Sequence, residues 1–377
     1  MTLPSCDRAL AEITQALAAT AEQVDLLGQF PADNFALLHR HGLLALTVPR
    51  ALGGAGADLA HARQVVAAVG KGEPSTALIL VMQYLQHVRL QDDPRWPRLL
   101  RERLAREAVI DGALVNAFRV EPDLGTPARG GLPATVARRT AEGWRLSGRK
   151  IYSTGSYGLT WFVVWARSDD ADPLVGSYLV HRDSPGVQIV EDWDHLGMRA
   201  TCSHEVRFDD VLIPLEHAVG VSPLSAPRAE LDNDAQRWMA VLLASLYDGV
   251  AQAARDWLVT FLQERRPANL GAPLASLARF EEVVGRIDTL LFTNRTLLDA
   301  AAAGQVAAQH AGQIKHVVSS NAIRAVELAV EAAGNPGLSR HNPLQRHYRN
   351  VLCSRIHTPQ DDVVLSQAGR AAFTHVQ

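Results

Sequence analysis

The order of three hydrophobic patterns along the chain constrains its fold most. Up to residue 112, apolar residues recur at helical spacing, as Ile13 and Leu17 do, and this spacing predicts helices joined by short loops. Short runs rich in Val, Trp, Tyr and Phe follow, such as 161–166 and 176–181, and the turn residues around them predict strands. The helical spacing returns after residue 222. We therefore expect an α+β chain of three regions.

These regions are expected to form an N-terminal α-helical domain, a central β domain and a C-terminal helical bundle. Their boundaries are predicted at residues 1–112, 113–222 and 223–377. The central region is so short that one β-barrel or sandwich accounts for all of it. The last region contains long helical stretches with short connections, which favours an antiparallel four-helix bundle. The predicted stretches are 236–265, 277–303, 306–333 and 343–370.

The sequence also excludes several classes of function. Strands and helices do not alternate, and no Gly-x-Gly-x-x-Gly follows a predicted strand, so a Rossmann nucleotide site is not expected. The net charge of -3 gives no basic excess that would attract nucleic acid or an anionic membrane surface. Three widely spaced cysteines suit a reducing compartment and give no metal-binding spacing. Because no signal peptide and no apolar run of about 18 residues is recognised, we expect a cytoplasmic protein.

Five sequence motifs follow one another from about residue 40 to the end of the chain. They are His41–Gly56 (HGLLALTVPRALGGAG), Gly148–Gly155 (GRKIYSTG), Gly197–Pro214 (GMRATCSHEVRFDDVLIP), Arg265–Pro273 (RRPANLGAP) and Glu331–Gly337 (EAAGNPG). Each motif alone is weakly specific, whereas all five in this order are specific. With the helix–sheet–helix order, they resemble the acyl-CoA dehydrogenase superfamily, which includes a branch of flavin-dependent monooxygenases. The resemblance implies that fold, a flavin cofactor and redox chemistry.

The resemblance places candidate flavin-binding residues in the central region. The segment 118–126 (FRVEPDLGT), which begins at Phe118, corresponds to a strand and turn whose backbone hydrogen-bonds the pyrimidine edge of the flavin. Val120 stands where the family has a hydroxyl, so one side-chain contact to the flavin is expected to be absent. Tyr152 is expected to pack on the isoalloxazine, and Thr154 to lie near its reactive nitrogen. By spacing alone, these residues would be ordinary members of strands and turns.

Further residues are expected at the phosphate end of the cofactor. Arg266, or its neighbour Arg265, matches an arginine that contacts the cofactor diphosphate from a second subunit, a role that suits the planar guanidinium. Gly334 matches a turn whose backbone amides approach that cofactor, and Glu331 replaces the glutamine usual in the motif. The resemblance implies FAD in a homodimer or homotetramer. Because a carboxylate near a diphosphate is unfavourable, reduced FMN or FADH2 supplied by a reductase stays an alternative.

The base of a dehydrogenase is missing from its expected positions. Acyl-CoA dehydrogenases need a carboxylate that removes the α-proton of the acyl thioester. At the corresponding position this chain has Thr358, and at a second position used by some members it has Gln236. Neither side chain can accept a proton in that sense. Asp361 and Asp362 lie about one turn away and could act only if the loop had another shape.

Histidines at two positions resemble those of the monooxygenase branch. His357 lies eight residues after Arg349 and is followed by Thr358 and a proline, as in several of those enzymes. His87 falls on the helix before the β region, where that group has a second histidine, and Thr154 with the next glycine resembles its flavin-strand pair. Imidazole near neutrality can donate or accept a proton. The chain has 14 histidines, which makes a chance match easy, and His87 also suits a hydrogen-bonded helix histidine.

Three functions therefore stay open. The first is FAD-dependent α,β-dehydrogenation of an acyl-CoA or similar acyl thioester, with an electron-transfer flavoprotein as partner; it is favoured because dehydrogenases dominate the superfamily. The second is a two-component monooxygenase that uses O2 and reduced flavin from a flavin reductase on a small organic substrate. Its candidate catalytic residues are His357, Thr358 and His87. The third is a protein that binds flavin or a partner without turnover.

Overall fold

The structure, a computed structural model, describes residues 6–124, 131–226 and 232–374. Thr126, at the end of the segment expected to bind flavin, lies outside the described residues. Helices come first along the chain, which confirms the predicted N-terminal helical region. They are α1 (Cys6–Leu27), α2 (Ala32–Arg40), α3 (Leu59–Gly72), α4 (Pro74–Asp92) and α5 (Arg98–Ile110).

Helix α4 lies inside this region because its sequence is apolar on nearly every side. Glu73 caps the helix, and its carboxylate accepts hydrogen bonds from the backbone N–H groups of Ser75 and Thr76 at 3.0 and 2.6 Å. Pro74 occupies the first turn, where its missing N–H is not needed. The helix packs against α3, against a helix of the C-terminal region and against the first strand. It therefore joins all three regions.

The middle of the chain forms one eight-stranded sheet. Its strands are β1 (Leu114–Phe118), β2 (Val136–Arg139), β3 (Trp144–Lys150), β4 (Leu159–Ser168), β5 (Leu174–His181), β6 (Val187–Val190), β7 (Glu205–Ile213) and β8 (Ala218–Pro223). Hydrogen-bonded neighbours follow the order β6-β7-β3-β2-β4-β5-β8, and β1 pairs with β4 in parallel. The predicted central β region is confirmed.

Strand β4 contributes to hydrophobic cores on both faces of the sheet. Phe162 and Val164 belong to the main core, which is continuous with the helical regions. Trp161 and Val163 face a smaller cluster that includes residues of α5. Because successive side chains of a strand point to opposite faces, a strand that is buried on both faces needs an uninterrupted apolar sequence, as 161–166 has.

A buried ion pair joins β3 to the loop after β1. Lys150 and Glu121 are almost inaccessible, and the Lys150 Nζ lies 2.5 Å from Glu121 Oε1. The same carboxylate accepts hydrogen bonds from the Ala134 N–H at 2.6 Å and from the N–H and hydroxyl of Thr135 at 3.1 and 2.6 Å. Burial lowers the pKa of Lys150 to about 8. Burial alone would raise the pKa of Glu121, but the hydrogen bonds from Lys150 and Thr135 hold it below its ordinary value.

Helices resume in the last region. They are α6 (Asn233–Glu264), α7 (Ala278–Ala302), α8 (Ala311–Ala333), α9 (Asn335–Leu338), α10 (Leu344–Leu352) and α11 (Asp361–Thr374). Helices α6, α7, α8 and α10 pack together as the predicted bundle. The prediction of one continuous helix over 343–370 is wrong, because the chain leaves α10 at Cys353 and becomes helical again only at Asp361. Pro359 explains the interruption, since proline lacks the N–H that a helix interior needs.

Helix α6 crosses α3 at very short range. A Cβ atom on Gly249 would lie 2.2 Å from the carbonyl oxygen of Ala67, and one on Gly70 would lie 2.7 Å from that of Leu246. Glycine permits this approach because it has no side chain. Every residue of α6 from 240 to 251 is consequently buried. Although α6 is long, no helix within the described ranges is apolar over enough of its length to cross a membrane.

The Glu121–Lys150 pair leads to a stability prediction. Lys150→Met leaves the Glu121 carboxylate buried without its counterion, and we expect the free energy of unfolding to fall by about 3–5 kcal/mol. The double variant with Glu121→Gln removes the stranded charge but keeps the acceptor oxygen, so it should recover at least half of that loss. Lys71→Met is the control, because its partly exposed pair with Asp256 is expected to contribute less than about 1 kcal/mol. Urea unfolding measures all three, and equal losses at Lys71 and Lys150 would contradict the prediction.

Candidate active site

Two loops lie side by side because β3 and β7 are antiparallel neighbours. Lys150 at the end of β3 pairs with Val206 near the start of β7, so the loop that follows β3 lies beside the loop that precedes β7. We call residues 151–157 and 198–204 the paired loops. Three hydrogen bonds to main-chain carbonyl oxygens join them: Ser153 N–H to the His204 carbonyl (3.3 Å), Gly155 N–H to the Thr201 carbonyl (2.7 Å), and the Ser156 hydroxyl to the Cys202 carbonyl (2.6 Å). The two loops therefore form one structural unit.

Three residues of the paired loops have left-handed backbone conformations, which are rare outside glycine. The φ angles are +55° at Tyr152, +55° at Met198 and +45° at Cys202. Each such residue costs about 1–2 kcal/mol. Strained residues of this kind cluster at active sites and ligand clamps. Their concentration here identifies the paired loops as the candidate functional site.

Hydroxyl groups connect the paired loops from within. The Thr154 hydroxyl lies 3.0 Å from the Ser203 hydroxyl, which lies 2.8 Å from that of Thr201. The Asn116 amide donates a hydrogen bond to the Thr154 carbonyl oxygen at 3.0 Å. Thr154 keeps part of its surface accessible, whereas Ser203, Thr201 and Asn116 are buried. The site thus presents one accessible hydroxyl that buried polar groups hold in place.

Three aromatic rings cluster beside the paired loops. Tyr152 is 56% exposed and meets Trp193 and His195 edge-on, with ring centroids 6.3 and 6.1 Å away. Trp193 and His195 stack on each other at 3.6 Å. Aromatic faces that remain accessible suit a planar ligand.

His204 holds the segment that carries two of these rings. Its Nδ1 accepts hydrogen bonds from the backbone N–H groups of Asp192 and Trp193 at 3.1 and 3.0 Å. A nitrogen that accepts carries no proton, so the ring is assigned as the neutral tautomer with its proton on Nε2. Burial lowers the pKa of His204, which agrees with a neutral ring.

Helix α10 ties the paired loops to the segment that follows it. Asn350 Oδ1 accepts a hydrogen bond from the Met198 N–H at 2.7 Å. The Arg349 guanidinium donates to the Leu196 carbonyl oxygen at 2.7 Å and pairs with the carboxylate of Asp25. The chain then leaves α10 and runs directly into the segment that contains the predicted catalytic residues. These residues and the paired loops therefore share one support.

His357 contacts α6 and α8. Its Nε2 lies 2.6 Å from the Tyr247 hydroxyl, and the Lys315 Nζ donates a hydrogen bond to its carbonyl oxygen at 3.0 Å. Burial raises the pKa of Tyr247 well above its ordinary value, so the phenol keeps its proton. Burial, and secondly the charge of Lys315, lowers the pKa of His357 to about 4. The His357 imidazole is therefore neutral near pH 7, and part of its surface remains accessible.

The segment 353–361 offers no free carboxylate in place of the missing base. Thr358 occupies the predicted base position and carries a hydroxyl only. Asp361 is the acidic residue of the segment, and its Oδ1 lies 3.6 Å from Lys315 Nζ. Its Oδ2 lies 3.3 Å from His316 Nδ1. The Asp361 carboxylate therefore faces two basic side chains of α8.

His87 lies in a different environment. Its Nε2 accepts a hydrogen bond from the Gln83 amide at 3.0 Å, and its side chain lines a pocket of about 210 Å³ with Pro49, Leu52 and residues of α5. Burial lowers the pKa of His87 to about 4. None of its described contacts reaches His357 or the paired loops. The structure therefore does not bring the two predicted catalytic histidines together.

Phe118 and Val120 lie where β1 ends beside the paired loops. The Phe118 side chain is buried and stacks on Phe162 at 4.7 Å, so only the main chain of Phe118 can face a cofactor. The carbonyl oxygen of Val120 accepts a hydrogen bond from the Ile151 N–H at 3.0 Å. The fold thus places Phe118, Val120, Tyr152 and Thr154 next to one another, as the motifs imply.

The residues predicted at the phosphate end lie on the surface of the bundle. Arg265 and Arg266 are exposed, and the described part of the chain gives neither guanidinium a partner. Glu331 is exposed and pairs with Arg324 at 3.1 Å. Gly334 ends α8 with a φ of +66°. All of these positions are accessible to a second molecule.

The groups at the paired loops fit a flavin. The faces of Tyr152 and Trp193 match its flat ring system, and the Thr154 hydroxyl can donate to one of its nitrogens. Sequence patterns do not single out Ser203, which contacts Thr154, or Tyr247 and Lys315, which contact His357. Tyr247 and Lys315 each interrupt an apolar helix face, which is the signal that could have found them.

Comparisons with known proteins identify the family. Models of the acyl-CoA dehydrogenase N-terminal, middle and C-terminal domains match residues 7–88, 119–211 and 235–373. The Bacillus subtilis (strain 168) protein YdbM, described as a candidate acyl-CoA dehydrogenase, is 32% identical over 361 residues, which cover 94% of this chain and 93% of YdbM.

Two further relatives are similar to the whole chain. L-evernosamine nitrososynthase of Micromonospora is 30% identical over 373 residues, covering 91% of this chain and 83% of that enzyme. The structure of KijD3 in complex with FMN and dTDP-3-amino-2,3,6-trideoxy-4-keto-3-methyl-D-glucose superposes with a TM-score of 0.84 at 30% identity, covering 97% of this chain and 92% of KijD3.

The chain belongs to the acyl-CoA dehydrogenase family. It is an enzyme of this flavoprotein oxidoreductase family, which confirms the resemblance carried by the five motifs.

Replacement of Tyr152 separates folding from cofactor binding. Tyr152→Gly removes a left-handed non-glycine residue, so we expect the free energy of unfolding to stay constant or rise by about 1 kcal/mol. The aromatic face is lost as well, and we expect FMN and FAD to bind at least tenfold more weakly, which is about 1.4 kcal/mol. Asp210→Gly is the matched control, with a φ of +50° outside the paired loops. Thermal melting and flavin fluorescence titration measure both effects, and unchanged flavin affinity in Tyr152→Gly would remove Tyr152 from the cofactor site.

Proposed function

We propose that this enzyme is a flavin-dependent monooxygenase that uses reduced flavin and O2 to oxidise a small organic substrate. One observation carries the proposal. At the position where dehydrogenases of the family need a free carboxylate, this chain has Thr358, which follows the hydrogen-bonded His357, and the nearby Asp361 lies 3.6 Å from the Lys315 ammonium. The sequence favours dehydrogenation because that reaction is common in the superfamily, whereas the geometry favours the alternative.

The paired loops supply the cofactor environment. Bound reduced flavin would supply the two electrons that the reduction of O2 requires. Tyr152 and Trp193 would contact the face of the ring, and the Thr154 hydroxyl would donate to one of its nitrogens. Ser203 fixes the orientation of the Thr154 hydroxyl, because the two oxygens lie 3.0 Å apart.

The hydrogen bond between Tyr247 and His357 defines what the imidazole can do. If Nε2–H donated to Tyr247, the fully buried phenol proton would have no acceptor among the described residues, and an unsatisfied buried donor is costly. We therefore assign the phenol as the donor and Nε2 as the acceptor. The proton of the neutral ring is then on Nδ1, which can donate a hydrogen bond to an oxygen atom that gains negative charge.

This tautomer distinguishes the two reactions. Removal of an α-proton from a thioester needs a free acceptor. His357 has none, because its one lone pair already accepts the bond from Tyr247. Reduction of O2 instead creates negative charge on oxygen, and a preorganised donor stabilises that charge. The arrangement therefore suits oxygen chemistry.

Relatives support the proposal and the nature of the substrate. L-evernosamine nitrososynthase acts, by its name, on an amino sugar, and KijD3 was solved with FMN and an amino-keto sugar nucleotide. These relatives support FMN beside FAD as cofactor. They also support a small polar molecule, with a flavin reductase as the partner that supplies reduced flavin.

Dehydrogenation of an acyl-CoA or similar acyl thioester is the second candidate function. The 32% identity to YdbM over nearly the whole chain favours it. So do the exposed Arg266 and the turn at Gly334, which suit FAD that is shared between subunits. This reaction would require an electron-transfer flavoprotein and a base outside the segment 353–361. Both candidates imply a homodimer or homotetramer.

One experiment distinguishes the two functions. The purified protein is loaded with FAD or FMN and titrated anaerobically with a panel of acyl-CoA thioesters. Separately, it is mixed with chemically reduced flavin and O2 in the presence of amines, amino sugars and aromatic compounds. Substrate-dependent oxygen incorporation without bleaching by any acyl-CoA supports the monooxygenase. Bleaching by an acyl-CoA under anaerobic conditions would overturn it in favour of the dehydrogenase.

His357 gives the sharpest functional prediction. His357→Ala is expected to bind flavin like the native chain but to lose at least tenfold in kcat, which is typical of a lost acid–base or donor group. The exposed His310→Ala is the control and should keep full activity. Since the pKa of His357 is lowered to about 4, activity should not fall near pH 6.5, where free imidazole titrates, but only towards pH 4. A loss of activity centred at pH 6.5 would contradict this assignment.

Arg266 gives a prediction about the cofactor. Arg266→Ala removes a candidate diphosphate contact, so FAD should bind about tenfold or more weakly, while the affinity for riboflavin, which has no phosphate, should change little. Arg265→Ala is measured in parallel because Arg265 is the other candidate for this contact, and a loss confined to Arg265→Ala would transfer the role to Arg265. Equilibrium dialysis of both flavins against the three proteins measures these affinities. Equal losses for FAD and riboflavin would show that Arg266 does not act through the diphosphate.

A further inference from the structure

Lys315 occupies an unusual place for a cation. The chain contains three lysines, Lys71, Lys150 and Lys315, among 37 basic residues, and two of the three are completely buried. The lysine ammonium is a compact, strongly hydrated charge, so its complete burial requires protein groups that replace the lost water. Lys150 pairs with a carboxylate inside the β region. The partners of Lys315 indicate a different role.

The Lys315 ammonium bridges two points of the segment 357–361. Its Nζ donates a hydrogen bond to the carbonyl oxygen of His357 at 3.0 Å. It also lies 3.6 Å from Oδ1 of Asp361, the first residue of α11. Both ends of the segment are therefore held by one side chain that projects from α8. A displacement of the His357 main chain away from Tyr247 would break the first of these contacts.

We propose that Lys315 is a positioning residue for His357, which it holds against Tyr247 by fixing the main chain of the segment 357–361. The inference rests on the proposed role of His357 in the reaction. It goes further because it assigns the placement and the neutral state of the imidazole to a residue on another helix that does not touch the substrate.

The electrostatic surroundings of His357 give this role a distinctive signature. Among the described residues, Tyr247 on α6 and Lys315 on α8 contact it directly. Asp361 on α11 lies next to Lys315, and Cys353 at the end of α10 acts on Tyr247. Burial raises the pKa values of Tyr247 and Cys353, so both stay neutral. The opposed charges of Lys315 and Asp361 remain. Lys315 lowers the pKa of His357, and Asp361 partly offsets Lys315. Loss of Lys315 should therefore raise the pKa of His357, and loss of Asp361 should lower it.

The test uses NMR of the flavin-free full-length chain with labelled histidine, where His357→Asn identifies the signal. Lys315→Met is expected to raise the pKa of His357 by about one unit or more, towards that of free imidazole. Asp361→Asn is expected to lower it, so that the ring stays neutral at pH 4. Lys315→Arg keeps the charge and the donor and should leave the titration within about half a unit of the native one. His310 serves as the internal reference in every spectrum.

Hydrogen exchange of the segment 357–361 gives the second readout. It should accelerate in Lys315→Met, where both contacts are lost, and stay near the native rate in Lys315→Arg. A titration that is unchanged in Lys315→Met, or that rises in both Lys315→Met and Asp361→Asn, would overturn the proposal. If Lys315→Met does not fold, the direction of the shift in Asp361→Asn decides alone.

The result is independent of turnover. Opposite shifts in a protein that proves to dehydrogenate acyl-CoA would retain the role of Lys315 and reject the proposed reaction. If the shifts are absent while His357→Ala abolishes oxygen incorporation, the proposed reaction is retained and the role of Lys315 is rejected.

Discussion

The close crossing of α3 and α6 is the constraint on which the rest of the molecule depends. Gly70 and Gly249 let two helix backbones touch, and every element that packs on α6 takes its place from this contact. Tyr247 lies two residues before Gly249, so the residue that holds His357 is part of the crossing. A side chain at either glycine would displace α6 and carry Tyr247 with it. The packing of two helix backbones, which requires no contact with a ligand, thus determines where the His357 imidazole lies.

The sequence predicts the architecture well because hydrophobic spacing reports local burial. It also places Tyr152 and Thr154 in one short motif, and their predicted contacts with the flavin stay a prediction. It does not reveal the bond between His357 and Tyr247, which are 110 residues apart, because only tertiary packing brings them together. For His87, the sequence predicts the helix, but tertiary packing decides which way the side chain faces. The imidazole contacts Gln83 and lines a pocket together with residues of α5.

The segment between α10 and α11 carries the residues on which the proposed function depends. The helices on either side belong to the common architecture, whereas the segment itself carries a threonine at the base position and a histidine before it. Asp361, the first residue of α11, lies 3.6 Å from the Lys315 ammonium. The proposal of oxygen chemistry rather than dehydrogenation therefore depends on a few residues in a break between helices.

The paired loops are joined mainly through main-chain atoms, so their conformation depends little on the side chains that surround the site. The carbonyl oxygens of His204, Thr201 and Cys202 hold the opposite loop whatever side chains these residues carry. Of the neighbouring rings, the Trp193 indole N–H donates a hydrogen bond to the Met198 carbonyl oxygen at 3.3 Å, whereas the His195 imidazole makes no hydrogen bond among the described residues and stacks on Trp193. The shape of the loops can persist while the side chains around them are exchanged. For protein engineering, this means that the backbone of the loops can be kept while surrounding side chains are replaced to alter the substrate scope.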